Sequence, residues 1–214
     1  MKQKRIIKIS LCVFGFLCVL TLCKVLPTMA NSSPSLMTQW GTILRNFASQ
    51  ENKDNDIYAR GNTAIVLEKD IEQATQFYQL SGLDAAAART TATEYMLQRE
   101  ALYQEALRQG YSVSDAEIYD YLDELKTFMD TASNKEDAYA LIHGFGSEDD
   151  YWNYQFTVYK KNLPIQNMVA DLQKQYFSTQ SYSNSNSNTI DDWNSYFESY
   201  KNTLVNNENF ECIQ

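Results

Sequence analysis

The chain has 214 residues, with 18 basic against 27 acidic side chains, a net charge of −9, 7 Gly and only 3 Pro. Sandwiches, barrels and parvulin-like modules use many Gly and Pro residues in their turns, so this composition points away from them and toward helices. Residues 1–30 hold five of the basic residues and no acid, which leaves 13 basic against 27 acidic residues beyond them, a net −14; so acidic a body repels phosphate backbones and argues against a nucleic-acid partner.

Met1 to Lys8 is basic, and Ile9 to Cys23 is an apolar run broken only by Ser10, Gly15 and Thr21. Lys24 stops the run, and Pro27-Thr28-Met29-Ala30 offers a small residue for cleavage. The run is shorter than the roughly 20 apolar residues of a spanning helix. Residues 1–30 are therefore read as a signal peptide, with an uncleaved tether through residues 6–26 as the alternative. Cys23 follows Leu22, where a lipid-attachment signal wants a small residue. Either reading places the folded part outside the cytoplasm, secreted or held at the outer face of the cytoplasmic membrane. Cys12, Cys18 and Cys23 lie in this leader, so Cys212 alone remains and packing must hold the fold. Cys212, the third residue from the end, reads as a frayed, unpaired thiol.

Residues 31–56 read as an amphipathic helix and a polar linker. Ser33 and Pro34 suit the N-cap and first position of a helix. Leu36, Met37, Trp40, Ile43, Leu44 and Phe47 then recur at helical spacing. That stripe suits either a membrane surface or docking on the domain. Ile57 to Leu67 is the only strand-like stretch, a short hairpin or a single small strand turning at Gly61-Asn62. A helix is expected over Glu68–Leu80 and a long one over Asp84–Gln109, closed by Gly110 in the left-handed conformation. Ser114-Asp115-Ala116-Glu117 is a capping box. The helix it opens carries Ile118, Tyr121, Leu122, Leu125, Phe128 and Met129.

A shorter helix over Asn134–His143 should end at Gly144-Phe145-Gly146. Ser147 then caps a long helix running to about Phe177, with Glu148, Asp149 and Asp150 in its first turn, where the dipole favours acids. Pro164 should kink it. Trp152, Phe156, Tyr159 and Leu163 line one face, while Tyr151, Tyr154 and Val158 form a second strip. Residues 178–189 are a Ser/Asn-rich linker. A last helix over Ile190–Val205 carries Trp193, Tyr196, Phe197, Tyr200 and Leu204 on one side, and such an aromatic stripe needs burial against the domain. The fold class is thus mainly α, with at most a short β-hairpin and a C-terminal helix that completes it.

Catalytic chemistry has no sequence signal. His143 is the one histidine, and neither a cysteine pair, HExxH, GxSxG nor a P-loop occurs. Gly144-Phe145-Gly146 lacks the third glycine of a dinucleotide fingerprint. The acidic runs at 148–150 and 191–192 are explained by helix N-termini rather than calcium. No catalytic residue, metal site or cofactor is expected.

Arg99 to Ile118 resembles the N-terminal chaperone domain of SurA/PrsA-type extracytoplasmic foldases. The matching residues are Glu105-Ala106, Gly110, Val113 and Ser114-Asp115-Ala116-Glu117-Ile118. Tyr58 to Ile71 resembles that family's short strand and turn before its first helix, with the usual order altered, and Gly146 to Tyr159 resembles the segment before its long exit helix. The similarity covers about residues 57–177. Isomerase-active members carry a parvulin domain where this chain has only residues 178–189, so the resemblance implies a helical SurA N-terminal-like domain without isomerase activity, completed by residues 190–214. It implies binding of unfolded or exported polypeptides, and Tyr119, Tyr151 and Tyr154, which lie off the main stripes, are the candidate client contacts. The competing expectation is a non-catalytic accessory subunit of a membrane or export complex, docking through the helices of Trp40 or Trp193.

Overall fold

The computed structural model describes residues 34–50, 56–180 and 190–213. The expected leader, the Ser33 cap, most of the polar linker before Ile57 and most of the Ser/Asn segment lie outside the described residues.

Among the described residues, seven helices and a small sheet follow in chain order: α1 (Pro34–Ala48), β1 (Ile57–Arg60), β2 (Ile65–Leu67), α2 (Glu68–Leu80), α3 (Ala85–Arg108), α4 (Asp115–Thr131), α5 (Lys135–Phe145), α6 (Glu148–Gln180), α7 (Ile190–Glu208) and β3 (Glu211–Cys212). The fold is mainly helical, as the composition requires. Among the described residues no helix is long and apolar enough to cross a membrane.

The local signals act as physical chemistry dictates. Asp84 accepts the Ala87 amide at 2.9 Å and starts α3. Gly110, at φ +88°, lets the chain leave it. Ser114 and Glu117 form both halves of the capping box that opens α4. The Ser147 hydroxyl accepts the Asp150 amide at the start of α6. That helix runs unbroken through Pro164, whose ring is buried.

Two findings differ from expectation. The first concerns α5, which continues through Gly144 and Phe145 and ends only at Gly146, where φ is +125°. Gly144 serves close packing rather than termination. A Cβ there would overlap the Thr38 carbonyl of α1, and one on Gly41 of α1 would overlap the Leu141 carbonyl of α5. The two glycines let α1 and α5 cross backbone to backbone. The apolar face of α1 is thereby buried in the fold, with Met37, Trp40, Leu44 and Phe47 all at 8% exposure or less.

The second concerns the tail. Cys212 does not fray: β3 pairs antiparallel with β1, Ala59 opposite Cys212 and Arg60 opposite Glu211, giving a three-stranded sheet of order β2-β1-β3. The Cys212 thiol is exposed and lies beside the Tyr58 hydroxyl.

The helices enclose two apolar cores. One joins α1, α2, α4 and α5 to the N-terminal halves of α3 and α6, ending at Met96 on α3 and Leu163 on α6. The other joins Ala101, Leu102 and Ala106 of α3, Ile165 and Met168 of α6, and Trp193, Phe197 and Leu204 of α7. Both apolar strips of α6, at Trp152, Tyr159 and Leu163 and at Tyr151 and Tyr154, pack into the first core, and Ile165 and Met168 carry the helix into the second.

Candidate functional site

The seam between the cores is polar. Glu100 of α3 is 2% exposed and accepts Arg99 Nη1 at 3.0 Å on one oxygen and Lys161 Nζ at 2.8 Å on the other. Taking such a carboxylate out of water is costly, and the two cations offset that cost. Burial opposes the charge of Arg99, but Glu100, then Tyr95 and Asp70, more than restore it. Among the described residues the Arg99 guanidinium hydrogen-bonds only Glu100, so most of its five donors remain available.

Asp70 stands nearby in the first turn of α2. Burial pushes its carboxyl above the usual range, and Arg99 only partly counters this. Among the described residues it makes no hydrogen bond and no ion pair. Gln73, one turn along α2, donates an amide hydrogen bond to the Tyr154 hydroxyl at 3.3 Å. These groups line a cleft of about 290 Å³ whose polar wall is Lys69, Asp70, Arg99 and Lys161 and whose apolar wall includes Phe47, Met96 and Val158.

A second hollow of about 530 Å³ adjoins it along α6, and the two share Ala48, Tyr154 and Thr157. Its floor is Phe145 and Tyr154, whose rings pack 5.4 Å apart. Its rim is polar, with Arg45, Ser147, Asp150 and Asn153. Together the hollows make a trough between the C-terminal end of α1 and one side of α6, apolar at one end and charged at the other. A third hollow, of about 740 Å³, lies among the hairpin turn, α3 and α7. Its charged groups already have partners: Glu105 takes two bonds from Arg108, and Glu208 takes three from Thr63 and Ala64. The trough is the better candidate because its charges are not all used.

The three tyrosines fall in three environments. Tyr154 lines both hollows of the trough. Tyr119 is 55% exposed on α4 and stacks on Phe156 at 4.5 Å, on the opposite side of α6. Tyr151 is 1% exposed and packs edge-on against Phe145 and Trp152, so its ring belongs to the core and cannot meet a partner. The tryptophans expected to mark docking helices are also interior, Trp40 at 4% and Trp193 at 0% exposure. Met37, Met96, Met129 and Met168 are core residues too, so among the described residues methionine does not supply an adaptable outer surface.

The charged end of the trough escaped the sequence reading. Arg99, Glu100 and Lys161 lie far apart in the chain or read as ordinary helix-surface charges. One signal was available: Glu100 falls between Met96 and Ala101 on the face that α3 buries. The arrangement can bind an anionic group beside an apolar segment. Among the described residues no group of three His, Cys, Asp or Glu side chains is placed to hold a metal ion. No family model, curated protein or solved structure matches the chain.

Proposed function

We propose that this chain is an extracytoplasmic chaperone-like protein that binds unfolded or exported polypeptides in the trough between α1 and α6 and has no isomerase activity. The observation that carries the reading is the concave trough walled by Ala48, Tyr154 and Thr157 and bordered by hydrogen-bonding groups, which suits an extended chain with alternating side-chain and backbone demands. The returning tail supports it. Helix α7 packs in the second core and strand β3 completes the hairpin sheet, after the segment 178–189 where the resemblance to SurA/PrsA-type foldases implies that an isomerase domain is missing. The acidic surface adds solubility and favours basic clients. The leader, read as an export signal, supplies the location.

The test is light scattering of a heat-unfolding client with and without the purified chain, run beside a prolyl-isomerisation assay. The proposal expects slower aggregation at near-stoichiometric ratios and no prolyl turnover. Unchanged aggregation together with no peptide binding would overturn the chaperone reading, and clear turnover would overturn the non-enzymatic one.

A further inference from the structure

The charged end of the trough carries a more specific assignment, which rests on the polypeptide-binding reading. Three cations, Lys69, Arg99 and Lys161, and two carboxylates, Asp70 and Glu100, gather at this seam. Locally the count is +1, in a chain whose total is −9. Glu100 engages Arg99 through a single Nη1 bond and Lys161 through Nζ, and the remaining donors of the guanidinium fork suit a planar, two-oxygen acceptor. The first turn of helix α2 places Lys69 and Asp70 on the wall of the cleft, while the acids Glu68 and Asp70 offset its dipole there, so the preference for an anion rests on the side-chain cations. The cleft adjoins the apolar hollow through Ala48, Tyr154 and Thr157, so a chain lying over these three residues reaches the cations with its end.

We infer that the cleft captures the free C-terminal carboxylate of a bound polypeptide, held by Arg99 and Lys161, while the preceding side chains occupy the apolar hollow. Asp70 works against this ligand: its carboxylate sits in the same cleft without a partner among the described residues and repels a second anion. Its replacement by the neutral isostere should therefore strengthen capture.

The experiment uses the exported chain and a fluorescein-labelled apolar decapeptide without Asp or Glu, prepared with a free C-terminus and with a C-terminal amide. The inference expects the free acid to bind roughly tenfold tighter or more, the order of one charge-assisted, bidentate contact. Lys161→Met should narrow that gap, and Asp70→Asn should widen it. Arg99→Met strands Glu100 and is open to misfolding, so these two partly exposed positions carry the test. Equal affinity for acid and amide would overturn the carboxylate assignment and leave polypeptide binding standing. No binding of either form would overturn both. Acetate or N-acetylleucine displacing the peptide at the peptide's own dissociation constant would show a small-carboxylate site and overturn the assignment to a polypeptide end.

Discussion

At the scale of single residues, buried or tethered carboxylates decide most of what is distinctive here. Glu208, at the end of α7, accepts the Thr63 amide at 2.8 Å, the Thr63 hydroxyl at 2.6 Å and the Ala64 amide at 3.0 Å. Partial burial pulls its carboxyl upward, but these bonds override it and hold the group below its usual range. A depressed folded value stabilises the protein at neutral pH and is lost as pH falls through that value. Glu208→Gln should therefore cost about 1–2 kcal/mol at neutral pH. Denaturation curves should show the two proteins converging in acid below the ordinary glutamate range. Asp70 behaves oppositely. Its raised folded value means that ionisation costs stability, most at neutral pH and not at all once both folded and unfolded states are protonated. Asp70→Asn should melt higher than the parent at pH 7 and level with it near about pH 3; an equal or lower melting point at pH 7 would contradict the burial argument. A residue that costs stability where it stands is a reasonable mark of a site. Neither carboxylate was legible in the sequence, since each reads as a routine helix-terminal acid and the groups that set its environment lie on other elements.

At the scale of elements, capping and periodicity were readable because they are local. The end of α2, the start of α3, the capping box of α4 and the Ser147 start of α6 follow from side chains within a few residues of each helix end. What was not readable is long-range. Gly144 looks like a helix stop, yet it is a contact point, because only the α1 backbone at Thr38, far away in the chain, gives it that role. Gly144→Ala drives a methyl group into the Thr38 carbonyl and should cost about 1–3 kcal/mol by overpacking, measurable as a lowered melting temperature. Ser147→Ala, by contrast, should cost only about 1 kcal/mol, the loss of a cap. The aromatic stripe of α7 was legible as a demand for burial, and Trp193 and Phe197 meet it at 0% and 1% exposure. Trp193→Ala should destabilise by about 3–5 kcal/mol. A loss below about 1 kcal/mol would mean that α7 leaves the second core readily.

At the scale of the whole molecule, the two cores and their polar seam explain why a groove exists at all. Arg99, Glu100 and Lys161 interrupt the apolar contact of α3 with α6 beside α2, and the end of α1 borders the cleft there. The trough is thus a consequence of packing, and its proposed use is to hold a chain. Thr157 is exposed on α6 and lines both hollows, so Thr157→Trp fills the trough from the solvent side. The variant should keep the parent's melting temperature and lose its effect on client aggregation.

Amide hydrogen exchange of the full chain, with and without an unfolded client, tests the placement of that site most directly. Added protection should fall on residues 45–49 at the end of α1 and on residues 146–158 of the α5–α6 junction and α6, with α7 and the sheet unchanged. Protection confined to α7 or β3, or none anywhere, would contradict it.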